Sequence, residues 1–358
     1  MIYFQKTKII LTFLFLLVNF IVFGQKPVED SIELWMAEAK IPGVQIQHTV
    51  NGESLTYTFG EMEKGSGRMV EASTIFQAAS LSKVVFSYAV LRLWDKGLID
   101  LDTPLLSYYD YERLSDEPDG DRITARMVLA HTTGFPNWQV KTGNPEWKQS
   151  KLKTAFEPGT AFRYSGEGFY FLQKVLEHLT GKSLEEIMEE EVFQKFGMEN
   201  SSFLYINALH KDRYANGHDG ERPMALRKYK KSNSAFSLLT NAKDYTLFIE
   251  KAFLEKQGLS EKAHNEWLEQ QSSAQPENKK NKAYDYLNYG LGVLLQENEN
   301  GKALIHTGSN PGFRCFFITY PQKNESLVYF SNSTNGKKIM DKVATTFLGS
   351  QTFWFLRR

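Results

Sequence analysis

The chain has 358 residues, enough for one large domain or two interleaved ones, and 42% of them are hydrophobic, including 26 Phe and 17 Tyr. This composition predicts a well-packed globular protein and excludes a disordered one. Lys and Arg together number 42, as do Asp and Glu, so the net charge gives no reason to expect nucleic acid or an acidic membrane surface as a partner.

The N-terminal segment has the three parts of a secretory signal. Lys6 and Lys8 precede an apolar run from Ile9 to Phe23, and Gly24-Gln25 follows. The run is shorter than the roughly 20 residues of a membrane-spanning helix, and no Cys follows it to carry a lipid. We therefore expect residues 1–24 to be cleaved, leaving an exported, periplasmic or secreted monomer without a membrane span. A retained N-terminal anchor is the alternative.

Patterns at the two ends of the chain predict one antiparallel sheet. After a helix over 28–40, "VQIQHTV" and "SLTYTFG" alternate on either side of Asn51-Gly52, which indicates a β-hairpin. Four more strands are expected within residues 289–331: "YGLGVLLQ", "KALIH", "FRCFFITY" and "ESLVYFS". A closing helix follows around 337–348.

The middle of the chain is helical in pattern. "LSKVVFSYAVLRLWDKG" is apolar almost all round, which predicts a buried helix ended by Gly97. Further helices are expected in "FYFLQKVLEHLTG", "SLEEIMEEEVFQKFG" and "NAKDYTLFIEKAFLE", and a loop at 272–282. The fold class is therefore α+β. Residues 25–85 and 285–358 form a sheet lobe flanked by terminal helices, residues 86–284 form a mostly helical lobe, and a site is expected in the cleft between the two lobes.

Several common catalytic arrangements are missing from the sequence. It contains no Gly-x-Ser-x-Gly, no His-Glu-x-x-His and no glycine-rich phosphate loop, so we expect neither a metal nor another cofactor. Cys315 is the sole cysteine, so no intramolecular disulfide forms. Its place in the apolar strand "GFRCFFITY" favours a small buried residue over a reactive nucleophile.

Ser-x-x-Lys, a nucleophile with a nearby base, occurs at Ser80…Lys83 and at Ser150…Lys153. Residue frequencies alone would produce about two such matches in a chain of this length, so context must separate them. Ser80 lies where the buried helix begins, and Lys83 shares its face. A lysine held against apolar residues is desolvated, which lowers its pKa and makes it a proton acceptor. A capping serine beside a surface lysine is the alternative interpretation.

Ser150…Lys153 lies in "QVKTGNPEWKQSKLK", among several other lysines and away from any apolar helix. The same stretch contains Lys141-Thr142-Gly143. We expect it to be a polar, solvent-facing segment of the helical lobe, because nothing in it would desolvate one lysine selectively.

The residues around Ser80 resemble the serine β-lactamase superfamily, in its class C β-lactamase, esterase and D,D-peptidase-like branch. The similarity covers nearly all of the chain after residue 24 and rests on several stretches in family order: "IPGVQI", "FQAASLSKV", "DKGLIDLDTPL", "VLAHTTGFPNW", "PGTAFRYSGEGFYFLQKVLEHLTGKSLEE", "VFQKFGMENSSF", "SAFSLLTNAKDYTLF", "YGLGV" and "HTGSNPGF". The family order is Ser-x-x-Lys, then Tyr-x-Asn, then Lys-Thr-Gly on a strand that lines the cleft. Here these positions are Ser80…Lys83, Tyr164-Ser165-Gly166 and His306-Thr307-Gly308.

The resemblance implies the roles of these residues. Ser80 attacks a carbonyl, Lys83 and Tyr164 relay its proton, and the backbone N–H groups of Ser80 and Ser309 form the oxyanion hole. Water then releases the acyl group. The expected substrate is a small ester or amide or a peptidoglycan-type peptide. By the same resemblance His131, in "AHTTGF", occupies a structural position.

Two departures concern the substrate-binding positions. Gly166 replaces the asparagine that would hold an acylamide, and His306 replaces the lysine that would recognise a carboxylate. Both changes argue against an efficient β-lactamase. Glu167 and the basic run 227–231 are the candidates to replace the lost groups, although solvated surface is the simpler interpretation of that run. A receptor that binds penicillin or peptidoglycan without turnover, and a true β-lactamase, remain alternatives.

Overall fold

The computed structural model describes residues 27–276 and 280–357, so the expected signal segment lies outside the described residues. The centre of the fold is an eight-stranded antiparallel sheet in the order β2-β1-β12-β11-β10-β9-β8-β7. Two short pairs, β3 with β6 and β4 with β5, lie outside it. The strands are β1 (Gly43–Val50), β2 (Glu53–Gly60), β3 (Phe76–Gln77), β4 (His218–Asp219), β5 (Arg222–Pro223), β6 (Leu239–Thr240), β7 (Ser272–Ser273), β8 (Leu287–Tyr289), β9 (Leu294–Asn298), β10 (Gly301–Asn310), β11 (Phe313–Tyr320) and β12 (Glu325–Ser331).

The helices lie on both faces of this sheet. They are α1 (27–39), α2 (Ser82–Asp95), α3 (Ala125–Leu129), α4 (Gly166–Thr180), α5 (Leu184–Met188), α6 (Gln194–Phe196), α7 (Asn207–His210), α8 (Ala242–Ile249), α9 (Glu261–Leu268) and α10 (Met340–Leu348). Turns of π-helix follow α5 (Glu189–Phe193) and α8 (Glu250–Leu254). None of the helices within the described ranges has the length and apolar character needed to cross a lipid bilayer.

The predicted hairpin is present. Asn51 and Gly52 have φ angles of 53° and 83°, and Val50 pairs with Glu53 across the turn. A two-residue turn with both φ angles positive matches the right-handed twist of the strands it joins. Asn and Gly tolerate that conformation best, which is why the dipeptide predicted the turn correctly.

Alternation along the strands divides the core into two layers. On β11, Cys315 and Phe317 pack towards the helical lobe with α2, whereas Phe316 and Ile318 pack towards α1 and α10. Successive side chains of a strand point to opposite faces, so a sheet covered on both sides needs apolar residues throughout. The predicted α+β fold, a sheet with terminal helices on one face and a helical lobe on the other, is confirmed.

Two local predictions are wrong. The stretch "YGLGVLLQ" forms two strands, β8 and β9, because the chain turns at Gly292, where φ is +84° and a Cβ atom would overlap the Ser87 side chain of α2. The helices α3 and α9 were not predicted, and the expected loop at 272–282 contributes the short edge strand β7. In both cases a contact between distant parts of the chain decides the local structure.

Candidate active site

A turn of 3₁₀-helix, Ala79–Leu81, carries Ser80 at the start of α2. Ala79 has a φ of +48°, a left-handed conformation that costs a non-glycine residue roughly 1–2 kcal/mol. The Ser82 hydroxyl fixes the turn, because it donates to the Ala79 carbonyl and accepts from the Leu238 N–H (3.0 Å). The strained turn leaves Ser80 half-buried and facing a cleft rather than inside the helix.

Lys83 lies on the first turn of α2 with only 1% of its surface exposed. Its Nζ donates to the Ala235 carbonyl (2.8 Å) and lies 4.8 Å and 5.5 Å from the ring centroids of Tyr164 and Phe169. No carboxylate of the described residues forms a salt bridge with it. Burial without a counter-charge lowers the pKa of Lys83 to about 7. The sequence predicted such a desolvated lysine.

Tyr164 lines the same cleft, just before α4. Its ring packs against the buried His131 ring, with the centroids 4.3 Å apart and the ring planes tilted by 34°. His131 Nδ1 accepts a hydrogen bond from the Ser165 N–H (3.1 Å), so its proton is on Nε2. His131 therefore holds the segment that presents Tyr164.

The opposite wall of the cleft is the end of β10. His306, Thr307 and Ser309 line it, and Gly308 lies against the Ser80 turn, where a Cβ atom would be 2.6 Å from the Ala78 carbonyl oxygen. A glycine is required there because any side chain would push the strand away from the nucleophile turn. The absence of a side chain at Gly308 therefore allows β10 to lie directly against the turn that carries Ser80.

His306 is buried, with 2% of its surface exposed. Its Nδ1 lies 2.8 Å from the Thr307 carbonyl oxygen, which can only accept, so Nδ1 carries a proton. Its Nε2 lies 3.2 Å from the Tyr289 hydroxyl, which can donate or accept. His306 is therefore a buried imidazole held between two oxygen atoms, where the family pattern has a lysine.

The cleft has a volume of about 500 Å³, and Ser80, Tyr164, His306, Thr307 and Ser309 all face it. The structure thus brings together the residues predicted from three distant sequence stretches. Sequence reasoning assigned no role to the remaining lining residues, which are Asn137, Phe162, Ala274, Pro276 and Tyr284. Asn137 lies inside "VLAHTTGFPNW", one of the stretches that carry the family resemblance. The resemblance did not indicate that this side chain lines the cleft.

Gly166 does not face an empty site. A Cβ atom there would overlap the indole ring of Trp138. The Gly166 N–H donates to the side-chain and backbone oxygens of Asn137 (3.0 and 3.1 Å). The space that an asparagine would need at position 166 is therefore filled by Trp138, and Asn137 supplies the polar group nearest to it.

Glu167 is fully buried and belongs to the framework rather than to the cleft. Arg113 binds it through two hydrogen bonds (2.7 and 3.1 Å), and Trp147 Nε1 and the Gln139 N–H also donate to it (2.9 Å each). Arg113 also donates to both oxygens of Ser150. Glu167 therefore cannot replace the missing asparagine, and the second Ser-x-x-Lys serine has a structural role.

The stretch 139–153 is only partly as predicted. Lys141, Lys148 and Lys153 are exposed, as expected, but Trp147 is buried with 6% exposure and Ser150 is half-buried. The expectation of a wholly solvent-facing segment is therefore wrong, because the buried Glu167 carboxylate needs the indole N–H of Trp147 as a donor.

We expect Arg113→Leu to lower the free energy of unfolding by about 3–5 kcal/mol, because it leaves the Glu167 charge buried without its partner. Urea unfolding followed by circular dichroism measures the change. The matched control is Arg222→Leu, which removes an exposed pair with Asp219 (80% and 57% exposed) and should change stability little. Equal effects in the two variants would contradict the assignment.

A serine on a strained turn, a desolvated lysine three residues later and a tyrosine in the same cleft, between a sheet and a helical lobe, match the serine β-lactamase superfamily that the sequence resembles. The chain belongs to the Beta-lactamase family, whose family model matches residues 28–346. This family consists of serine hydrolases, among them β-lactamases, carboxypeptidases and esterases.

Two curated relatives and one solved structure are similar to the chain. The chain is 24% identical over 309 residues to Penicillin-binding protein 4* of Bacillus subtilis (77% of this chain, 64% of the relative). It is 27% identical over 168 residues to Lovastatin esterase of Penicillium rubens (39% and 42%). A solved class C β-lactamase superposes with a TM-score of 0.75 at 20% identity (91% of this chain, 96% of that one). The chain spans less than two thirds of the length of these curated relatives.

Proposed function

We propose that the protein is an exported serine hydrolase that cleaves an ester, amide or D-amino-acid peptide bond through an acyl-enzyme on Ser80. The observation that carries this proposal is the buried Lys83 amine, whose pKa burial lowers to about 7, on the helical turn that follows Ser80. Burying an amine without a counter-charge costs free energy of folding, so its presence beside Ser80 favours a functional role. With a pKa of about 7, a large fraction of the amine is neutral at physiological pH and can act as a base.

The mechanism follows from these positions. The Ser80 oxygen bonds to the substrate carbonyl carbon while its proton passes to the Lys83 amine, with Tyr164 in the relay. The N–H groups of Ser80 and Ser309 stabilise the oxyanion. Collapse of the tetrahedral intermediate breaks the bond to the leaving group, which takes the proton. Water then attacks the acyl carbon, its proton follows the same relay, and Ser80 is restored.

The wall formed by β10 favours leaving groups without a carboxylate. A lysine in place of His306 would offer a permanent positive charge, whereas a buried imidazole held by Thr307 and Tyr289 carries no permanent charge. β-Lactams and D-Ala-D-Ala ends carry a carboxylate on the leaving side, so they lose a charge-assisted contact here. We therefore infer that simple esters are better substrates than β-lactams.

A substrate panel tests the proposal. The protein is incubated with a nitrophenyl ester, a chromogenic cephalosporin and a fluorescent penicillin, and rates and intact masses are recorded. We expect ester turnover to exceed cephalosporin turnover. A stable penicillin adduct without turnover of any compound would instead identify a non-turnover receptor, and no adduct and no turnover would exclude both functions.

Export is part of the proposal and is supported by the sequence pattern of residues 1–24. Expression in a bacterial host, followed by cell fractionation and N-terminal sequencing of the extracytoplasmic protein, tests it. A new N-terminus near Gly24 is the expected result, and an uncleaved chain in the cytoplasm would contradict it.

Restoring the family asparagine should not create a β-lactamase. We expect Gly166→Asn to lower the free energy of unfolding by about 1–3 kcal/mol, because its side chain overlaps Trp138, and to leave cephalosporin turnover no higher. The measurements are urea unfolding and cephalosporin hydrolysis. Gly143→Asn is the stability control, since no atom lies within 4 Å of a Cβ built there. A gain in cephalosporin turnover would show that Gly166 alone limits this activity.

A further inference from the structure

A second cavity lies next to Trp138, which packs against two residues of its wall, Trp147 and Phe236. Its volume is about 400 Å³, and its walls combine the stretch 142–148 with the stretch 227–236. Aromatic and basic residues alternate along these walls, and the ones that matter here are Trp147, Lys148, Tyr170, Lys230, Lys231 and Phe236. The two stretches are about eighty residues apart in sequence, so neither reveals the cavity alone.

The walls of this cavity are basic and lack acidic partners. Its five cationic residues form no salt bridge with any carboxylate of the described chain; they are Lys148, Arg227, Lys228, Lys230 and Lys231. The protein as a whole has equal numbers of acidic and basic residues, so this imbalance is local. Desolvation, reinforced by the nearby Lys231 and Lys174, lowers the pKa of Lys148.

Aromatic rings hold part of this charge in place. The Arg227 guanidinium carbon lies 5.3 Å from the Tyr229 ring centroid and 5.8 Å from that of Phe236, and Lys228 Nζ lies 4.5 Å from that of Tyr205. Such contacts fix a cation without neutralising it. The positive charge therefore remains available to a ligand.

Trp138 connects the walls of this cavity and of the catalytic cleft. Asn137 lines the cleft, and the next residue, Trp138, packs edge-on against Phe236 (centroids 5.6 Å apart) and Trp147 (5.8 Å), which both line the basic cavity. The two cavities are therefore neighbours in the fold.

We propose that this basic cavity binds an anionic group of the substrate, so that the enzyme prefers substrates with a carboxylate or similar anion on the part that extends past Trp138. This inference rests on the proposed hydrolase function, because the preference is measured as a rate of ester hydrolysis. The basic cavity would supply the recognition of an anion that the His306 wall of the cleft does not offer. Attraction of this kind raises both affinity and association rate.

Two chromogenic series test the proposal. The first compares mono-nitrophenyl half-esters of dicarboxylic acids, from adipate to suberate, with neutral acyl esters of equal length. The second compares 4-acetoxy-3-nitrobenzoate with its methyl ester, which places the anion on the leaving group. The quantity measured is the ratio of kcat/KM for the anionic ester to that for the neutral ester.

We expect the ratio to exceed one for at least one chain length, to fall at least about tenfold in Lys230→Glu/Lys231→Glu, and to fall as ionic strength rises from about 0.01 M to about 1 M. The matched control is Lys337→Glu/Lys338→Glu, another exposed lysine pair, which should leave the ratio unchanged. Lys230→Gln/Lys231→Gln should give an intermediate fall, and circular dichroism checks folding. A ratio of one, or equal falls in both charge-reversed variants, overturns the proposal.

A binding measurement separates this proposal from the hydrolase function. Ser80→Ala protein is titrated calorimetrically with mono-nitrophenyl adipate and with its neutral counterpart, 4-nitrophenyl hexanoate. Tighter binding of the anion, lost in the triple variant that also carries Lys230→Glu/Lys231→Glu, supports the anion site even if the native enzyme turns over no ester. Ester turnover with no charge preference in either assay leaves the hydrolase function standing and removes the anion site.

Discussion

Ser80→Ala should lower kcat/KM for nitrophenyl ester hydrolysis by at least about 10³-fold, because removal of a catalytic nucleophile leaves only binding and oxyanion stabilisation. The same change should abolish any covalent adduct in intact-mass spectra. The fold should persist, because the hydrogen bonds that fix the nucleophile turn come from the Ser82 hydroxyl rather than from Ser80.

Ser150→Ala is the matched control, since it removes a serine from the other Ser-x-x-Lys. Ser150 accepts from Arg113 and donates to the Trp147 carbonyl (2.7 Å), so its loss should cost about 1 kcal/mol of stability and leave ester turnover within about twofold. Unchanged turnover in Ser80→Ala, or a large loss of kcat in Ser150→Ala, would contradict the assignment of the nucleophile.

Lys83→Met should also lower kcat/KM by about 10²–10⁴-fold, the usual contribution of a positioned base. In the native protein the rate should rise with pH through about 7 and level off above it, because Lys83 accepts a proton only in its neutral form and its pKa is about 7. That ascending limb should disappear in Lys83→Met. Methionine fills a similar volume without a buried charge, so the variant should fold.

Lys262→Met controls for the loss of a lysine beside an aromatic ring. Lys262 Nζ lies 4.9 Å from the Trp94 ring centroid, but the side chain is exposed on α9. Its pH–rate profile should match that of the native protein. An ascending limb near pH 7 that survives in Lys83→Met would assign it to another group and remove Lys83 as the base.

Local patterns were sufficient where neighbouring residues determine the conformation. Asn51-Gly52 predicted the hairpin because only a turn with two positive φ angles joins twisted strands so closely. "FRCFFITY" and "ESLVYFS" predicted β11 and β12 to the residue. The stretch "SLEEIMEEEVFQKFG" predicted a helix, and the structure begins α5 there with a capping box of Ser183 and Glu186. The apolar character of α2 on every side predicted that Lys83 would be buried.

Tertiary structure decided the features that depend on contacts between distant segments. The sequence showed a glycine at position 166, but only packing shows that Trp138 occupies the space an asparagine would need. It showed Glu167 next to the tyrosine motif, but only the fold directs that carboxylate to Arg113 and away from the cleft.

The surroundings of the basic run 227–231 also could not be derived from the sequence. Its charge was evident in the sequence, and solvated surface was the simpler interpretation. In the fold it faces the stretch 142–148 across a cavity and finds no acidic partner there. The sequence by itself thus determined the family, the α+β architecture and the candidate catalytic residues Ser80 and Tyr164 that face the cleft, because each follows from local periodicity or a contiguous motif. Only the tertiary structure decided what surrounds the cleft, because those contacts join segments whose separation in sequence carries no signal.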